Sequence, residues 1–171
     1  MIRLLTPKDG ELLRGYLYLA LYVPEGQEPF PLDVLQEPAV ARFVVGWGRD
    51  GDLGVLASDS TGSDIGSAWL RRWAGSHRGY GFVANDIPEL SMAVRPAHRG
   101  RGVGTVMLQA LLGNTDERGW SVSLSVHRKN PVIRLYQRCG FREHEEHGDS
   151  VTMLRRPPEK DARGGRTRCR S

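Results

Sequence analysis

Residues 90–105 read LSMAVRPAHRGRGVGT and carry the most informative pattern in the chain. A short apolar strand is followed by a turn and then by a basic, glycine-rich loop that opens a helix. The glycines at positions 100, 102 and 104 let the backbone approach a ligand without an intervening Cβ, and the first N–H groups of the helix have no intrahelical acceptors. The stretch therefore predicts an anion site, with phosphate as the favoured anion.

Two common phosphate-binding loops do not match this stretch. No Gly-Lys-Ser/Thr follows at the spacing of a P-loop, which excludes that class. A dinucleotide fingerprint requires a glycine three positions after Gly102, where Thr105 stands. The glycines alone therefore leave the bound phosphate compound open.

A second segment, NPVIRLYQRCGF at residues 130–141, predicts a short helix of about nine residues. Asn130 suits the N-cap, Pro131 suits the first helical position, and Gly140 suits the position just past the C-terminus. The apolar face of this helix consists of Val132, Leu135, Tyr136 and Cys139.

Together the two motifs resemble those of the GNAT superfamily of acetyl-CoA-dependent N-acetyltransferases. Residues 99–104 (RGRGVG) are similar to the Arg/Gln-x-x-Gly-x-Gly/Ala loop of that family. The Asn-Pro…Leu-Tyr…Gly-Phe segment is also similar, and Asn130 follows Gly104 at the family's usual distance, by 26 positions. The motifs cover residues 89–141, and the order of elements matches from the N-terminus to about Leu154.

The resemblance implies an α/β (α+β) fold of the GNAT type. This fold is a mixed, mostly antiparallel sheet of six to seven strands with a V-shaped splay between strands 4 and 5, flanked by about four helices. Residues 1–155 are expected to form this domain, and residues 156–171 a basic, disordered tail.

Apolar periodicity, caps and turn residues predict the individual elements. In the N-terminal half, the predictions are a strand over 2–5, a helix from Thr6 to about Val23, a short turn and a longer helix within 32–47, and a hairpin of 53–58 with 65–73. In the C-terminal half, they are a strand over 89–94, a helix from 103 that Gly113-Asn114 ends or weakens, a strand over 120–127, and a hairpin of 141–144 with 150–154.

The resemblance implies acetyl-CoA as co-substrate, lodged in the splay, and no metal. The strand end would offer backbone groups to the pantetheine, and the glycine loop would hold the pyrophosphate. The expected cofactor-binding residues are Met92, Ala93, Val94, Arg99, Gly100, Arg101, Gly102, Val103, Gly104, Thr105 and Asn130. Plain surface charge remains the alternative for the two arginines, and helix capping is a compatible role for the asparagine.

Two residues are the expected catalytic groups by the same resemblance. Tyr136 matches the usual general acid beside the thioester sulfur, with a core aromatic as the alternative. Glu89, at the start of the central strand where several family members place an acid, is the expected general base, with a strand-edge carboxylate as the alternative. Asp86 and His127 are the fallback bases.

Composition and charge argue against several other classes of function. The chain of 171 residues carries a net charge of +4, but seven of its 24 Lys and Arg lie within 155–171, beside only two acids. The rest is therefore nearly neutral, which makes nucleic acid an unlikely partner. The cysteines, Cys139 and Cys169, lack metal-ligand spacing. No signal peptide or membrane-length apolar run is recognised, so we expect a cytoplasmic location and no membrane partner.

The resulting prediction is an N-acetyltransferase that moves the acetyl group of acetyl-CoA directly to a primary amine of a small molecule or peptide in a ternary complex. The alternatives are a non-catalytic acyl-CoA-binding sensor and a nucleic-acid-associated protein acting through its tail. A homodimer is left open. The family's acceptor elements would place five aromatic residues near the amine: Tyr22, Trp47, Trp69, Trp73 and Tyr80.

Overall fold

A seven-stranded sheet runs through the computed structural model, which describes residues 1–75 and 78–159. The strands are β1 (Ile2–Leu4), β2 (Leu53–Ser58), β3 (Asp64–Arg71), β4 (Glu89–Val94), β5 (Val122–His127), β6 (Arg142–His147) and β7 (Ser150–Arg155). Their order is β1-β2-β3-β4-β5-β7-β6. All neighbours are antiparallel except β4 and β5, so the predicted mixed, mostly antiparallel sheet is confirmed.

The sheet opens between β4 and β5. These parallel strands are paired at one position, Glu89 with Ser123. Beyond that point β4 stays paired with β3 up to Val94, and β5 stays paired with β7 up to His127. Because each strand follows its other neighbour, a V-shaped gap opens towards their C-terminal ends, as predicted.

Four α-helices cover the two faces of the sheet: α1 (Gly10–Ala20), α2 (Pro38–Ala41), α3 (Val103–Glu117) and α4 (Ile133–Arg138). Short 3-10 helices span Pro7–Asp9, Leu32–Gln36 and Pro96–His98. Helix α1 buries Leu13 and Leu17 in an apolar cluster on one face, and α3 buries Met107 and Leu111 in a second cluster on the other face. None of the helices within the described residues is long and apolar enough to cross a membrane.

The longer helix predicted within residues 38–47 is wrong. Helix α2 has four residues, and the chain continues in turns. The reason is Arg71, whose fully buried guanidinium donates to the carbonyls of Arg42 (2.8 Å) and Val45 (2.6 Å) and pairs with Asp52 (2.7 Å). These carbonyls are used by a side chain from β3, so the apolar spacing in this segment does not produce a helix.

The helices flanking the gap also differ from the predicted bounds. Helix α3 continues through Gly113 and Asn114, and its last turn is anchored by Asp116, which pairs with Arg155 at 2.7 Å. Helix α4 has six residues instead of about nine, because its first turn is tighter, with Ile133 N–H bonded to the carbonyl of Asn130 at 3.1 Å. Most of the predicted tail, residues 160–171, lies outside the described residues.

Candidate active site

The gap between β4 and β5 is bordered by the start of α3 and by α4. A Cβ placed on Gly104 would lie 3.5 Å from Leu135 Cδ2, 3.7 Å from Met92 Cε and 3.8 Å from Val94 Cγ2. The glycine loop, the end of β4 and the short helix predicted from residues 130–141 therefore meet at one place. The structure brings together the two motifs that the sequence carries 26 positions apart.

The glycine loop has the geometry of an anion site. Gly100 (φ +70°) and Gly102 (φ +79°) lie in the left-handed region, and open space surrounds the Cβ position of each. The first helical hydrogen bond of α3 runs from Val106 N–H to the carbonyl of Gly102 at 3.1 Å. Within the described part of the chain, the N–H groups of residues 100–105 donate to no acceptor. Six N–H groups, three in the exposed loop and three in the first turn of α3, are therefore available to an anion.

Two arginines extend this loop. Arg99 Nε donates to the carbonyl of Val94 at 3.0 Å, which ties the side chain to the end of β4. Its two Nη atoms, and the whole guanidinium of Arg101, have no hydrogen-bond partner in the ranges that the structure covers. Both residues are exposed, so their charge is free for a phosphate group.

Glu89 lies at the closed end of the gap and is 3% exposed. Its Oε2 accepts a hydrogen bond from the indole N–H of Trp73 (2.7 Å), and its Oε1 accepts one from the N–H of Gly81 (2.7 Å). Burial raises the pKa of Glu89 to about 7, against the opposing effect of these two donors and of the charge of Arg42. A carboxyl group with this pKa can accept a proton at neutral pH.

The loop between β3 and β4 closes over Glu89 through two glycines. A Cβ on Gly79 would collide with Glu89 Oε2, and one on Gly81 would collide with the backbone of Leu124 and Ser125 in β5. The loop can therefore lie this close to the carboxylate and to β5 only because both positions lack a side chain. The sequence predicts the strands on either side of this segment but none of these contacts.

Buried hydroxyl groups lie on the same face of the sheet as Glu89. Ser123 is paired with Glu89, and Ser125 is paired with Thr152, so the side chains of all four point to one face. The Oγ of Ser123 and the Oγ1 of Thr152 are buried and have no partner in the described residues. Sequence reasoning missed this polar row, although the alternation of serine with Val122, Leu124 and Val126 was its signal.

Tyr136 lies on the buried side of α4 and is 7% exposed. Its ring packs edge-on against Phe141 with centroids 5.7 Å apart. Its hydroxyl makes no hydrogen bond with any residue that the structure describes, and burial raises its pKa above the ordinary value. Burial therefore keeps the hydroxyl protonated.

The structure separates the five aromatic residues predicted near the acceptor. Trp73 contacts Glu89 directly, and exposed Tyr80 stacks on Phe43 with centroids 5.8 Å apart. By contrast, Trp69 is fully buried and donates to the carbonyl of Phe43 at 3.1 Å. Only the first two border the carboxylate and its covering loop.

The other two aromatics bind chain segments together. Trp47 donates to the carbonyl of Thr6 at 2.9 Å, which links the turns after α2 to the start of α1. Tyr22 Oη donates to the carbonyl of Lys129 at 3.1 Å, and its ring lies 5.2 Å from that of His127. The segment after α1 therefore reaches the end of β5.

The fallback bases are less suited to proton transfer than Glu89. Asp86 is exposed and makes no hydrogen bond or ion pair with the described residues. His127 Nδ1 accepts the N–H of Lys129 at 3.1 Å and so caps a turn. Asn130 Oδ1 likewise accepts the N–H of Val132 at 3.1 Å, in the turn that leads into α4. The N-cap of α4 is Val132 and not Asn130 as predicted, because the tight turn over residues 130–132 precedes the helix.

A cavity of about 380 Å³ lies elsewhere, between the start of α1 and residues 44–47. It is lined by Lys8, Arg14 and Trp47 among others, and it includes neither Glu89 nor the glycine loop. The gap is an open cleft bordered by the donors of the glycine loop, by the buried acid Glu89 and by α4, the helix that carries Tyr136. Its groups, unlike those of the cavity, fit a reaction.

A family model described as an acetyltransferase (GNAT) domain matches residues 49–143. The matched segment contains both sequence motifs and the gap between β4 and β5.

A curated relative is streptothricin acetyltransferase of Streptomyces lavendulae, which is 33% identical over 109 residues. The match covers 61% of this chain and 47% of the relative, so the chain spans about half the length of the curated protein that it matches.

Solved structures share the fold at low sequence identity. A GNAT superfamily phosphinothricin acetyltransferase from Sinorhizobium meliloti, in complex with AcCoA, has a TM-score of 0.63 at 22% identity and covers 96% of this chain and 91% of its own. The ribosomal-protein-S18-alanine N-acetyltransferase from Escherichia coli has a TM-score of 0.61 at 16% identity. The match covers 95% of this chain and 97% of that protein. At these identities the likeness concerns the fold.

Proposed function

Because the chain belongs to the GNAT acetyltransferase family, we propose that it transfers an acetyl group from acetyl-CoA directly to a primary amine of a small molecule or peptide, in a ternary complex. The observation that carries the proposal is Glu89, a buried carboxyl group with a pKa of about 7 at the closed end of a gap whose rim is an anion loop. A proton acceptor and a phosphate site therefore border the same gap.

The residues of the gap fit acetyl-CoA. Free N–H groups in the glycine loop, with Arg99 and Arg101, suit a pyrophosphate. Beyond Glu89 the edge of β4 has no strand paired to it on the side of β5, so the backbone at Met92, Ala93 and Val94 is open to the pantetheine. When bound, acetyl-CoA supplies an acetyl group activated as a thioester.

Glu89 would act on the acceptor. An alkyl amine with a pKa near 10.4 is charged at pH 7, and deprotonating it costs roughly 4 kcal/mol. Glu89 first accepts a proton from the alkylammonium group, either directly or through a water molecule, and the neutral nitrogen then bonds to the acetyl carbon. The second proton, which the nitrogen loses once it has bonded to carbon, passes to solvent. Its raised pKa makes it a stronger base than a surface carboxylate, and it is still partly ionised at pH 7.

Tyr136 would act on the leaving group. Its hydroxyl donates a proton to the sulfur as the carbon–sulfur bond breaks, so that CoA leaves as a thiol. Two observations support this role: burial keeps the phenol protonated, and no described residue competes for its proton. Proton exchange with solvent then restores Tyr136 and Glu89.

The acceptor is proposed only as a class. The curated relative is named for streptothricin, a small molecule, while one structural neighbour is named for a ribosomal protein. In this chain, Trp73 contacts the carboxylate, and Tyr80 is an exposed aromatic residue of the covering loop. Both names are compatible with a primary amine on a small molecule or a peptide.

Release of free CoA from acetyl-CoA, measured against pooled amines, peptides and aminoglycosides, tests the proposal. We expect release that depends on one pool and increases with pH through neutrality. Tight binding of acetyl-CoA without release in any pool would reject the enzyme and favour an acyl-CoA sensor.

A further inference from the structure

We propose that Trp73 is the positioning residue of the Glu89 carboxylate: its indole N–H fixes Oε2 and favours the ionised form that accepts a proton. This inference rests on the proposed function, in which Glu89 is the base. The indole has one N–H and no acceptor, so it can only donate to the carboxylate.

The indole is fixed before any ligand binds. Trp73 lies two residues beyond β3 and is 3% exposed. Phe43 packs edge-on against its ring with centroids 4.9 Å apart. The bond from Nε1 to Glu89 Oε2 is 2.7 Å long, within the range of charge-assisted hydrogen bonds. The ring is therefore held on one side by packing and on the other by the acid.

Gly79 keeps this hydrogen bond in place. A Cβ at position 79 would collide with Glu89 Oε2 and would lie 2.7 Å from two carbons of the Trp73 indole. A side chain of any size here would enter the contact between acid and indole. The second carboxylate oxygen is held by Gly81 N–H, two residues further along the same loop.

Neutral donors matter here because Glu89 has no ion-pair partner in the described ranges. On β3, Arg71 is paired with Glu89 in the sheet, but its guanidinium is bound to Asp52. On β5, the facing residue is Ser123, which carries no charge. The cation that acts on Glu89 is Arg42, and its Nε and Nη1 donate to backbone carbonyls.

Replacing Trp73 by Phe keeps an aromatic ring and removes the donor. Without it the ionised form of Glu89 is less favoured, so the acid limb of the profile of kcat/KM against pH should move up by about one pH unit. Activity should recover at high pH, where Glu89 ionises without help. A role in packing alone would lower the rate at every pH and leave the acid limb in place.

Trp69→Phe is the matched control. Trp69 is also buried and also loses an indole hydrogen bond, in this case to the carbonyl of Phe43, but it does not contact Glu89. It should leave the acid limb unchanged even if it lowers stability. Gly79→Ala breaks the same contact from the other side, so it should move the acid limb in the same direction as Trp73→Phe.

An NMR titration follows the ionisation of Glu89 through the indole N–H of Trp73 and needs no enzymatic turnover. The chain has four tryptophans, so an ¹⁵N-labelled sample gives few indole N–H signals, and Trp73→Phe identifies the one from Trp73. This signal should shift with an apparent pKa near 7 and should stop titrating in Glu89→Gln. If it does not titrate in the wild type, or if Trp69→Phe moves the acid limb as far as Trp73→Phe, the inference is wrong. A titrating indole with no acetyl transfer to any amine would instead reject the proposed function alone.

Discussion

The two sides of the gap are built differently. On the proposed cofactor side, residues 100–105 present backbone N–H groups from the glycine loop and the first turn of α3, which two glycines with positive φ make accessible. On the acceptor side, Glu89 is held by Trp73, 16 residues earlier, and by Gly81, eight residues earlier, on a loop that reaches β5. The first side is local in sequence and relies on the backbone, whereas the second depends on side chains brought together by the fold.

This difference separates the expected effects of mutation. Changes on the cofactor side should weaken acetyl-CoA binding and leave the pH dependence of the reaction intact. Changes around Glu89 should alter the pH dependence and the rate while acetyl-CoA still binds.

Glu89→Gln should reduce kcat by about 10³-fold, because it removes the proton acceptor, and general-base catalysis contributes on this scale. The dissociation constant for acetyl-CoA, measured by calorimetry, should change little. Asp86→Asn is the matched control, since that acid is exposed in the same loop, and it should retain wild-type kcat. If kcat falls equally in the two variants, Glu89 is not the proton acceptor.

Tyr136→Phe should reduce kcat by about 10²-fold through loss of the proton donated to sulfur. The ring contact with Phe141 is kept, so stability should be nearly unchanged. Tyr18→Phe controls for loss of a phenol, since Tyr18 Oη donates to the carbonyl of Phe30 instead. Steady-state kinetics at saturating acetyl-CoA would measure both. An undiminished kcat in Tyr136→Phe would show that Tyr136 is a core aromatic residue and not the proton donor.

The ionisation of Glu89 should also be visible in stability. Its pKa in the folded protein, about 7, lies above the ordinary glutamic acid value of 4.5, so folding favours the protonated form. This contribution is fully present below pH 4.5 and is lost as pH rises through 7. Between pH 5 and pH 8, the wild type should therefore lose roughly 2 to 3 kcal/mol of unfolding free energy relative to Glu89→Gln. Urea unfolding of both proteins at the two pH values checks this, and parallel pH profiles would contradict it.

Arg99→Ala should raise the KM for acetyl-CoA by about tenfold and leave kcat within a factor of two, as expected for loss of one charge-assisted hydrogen bond to a phosphate. Arg95→Ala is a control with the same charge change, since Arg95 is an exposed neighbour that donates to the carbonyl of Asp64. A shift in the pH profile of Arg99→Ala would show that the two sides are not separate.

The same contrast explains what the sequence can predict. The glycine loop and the short helix within residues 130–141 are predictable because caps, glycines and apolar periodicity act over a few residues, whereas the splay followed from the resemblance. Asn130 is an example, since its side chain accepts the Val132 N–H just before α4, although the N-cap of the helix is Val132. The expected nearness of Tyr136 and Glu89 to the gap followed from resemblance instead of from local pattern.

The contacts of the acceptor side are not predictable in this way. The Trp73–Glu89 hydrogen bond depends on how β3 and the following loop return to β4, and the sequence placed Trp73 only among five aromatics. Buried Arg71 shows the same limit, because its bonds to the carbonyls of Arg42 and Val45 replace a helix that the apolar spacing favours. In each case a side chain distant in sequence overrides or completes the local pattern.

The most direct test is a single-turnover experiment with acetyl-CoA labelled in its acetyl group, carried out with the acceptor pools at pH 8. We predict that in the wild type the label moves from CoA to an amine, with none retained on the protein, and that Glu89→Gln binds acetyl-CoA but transfers the label far more slowly. Label that remains on CoA with every acceptor, despite tight binding, would contradict the account, as would equal transfer by the two proteins.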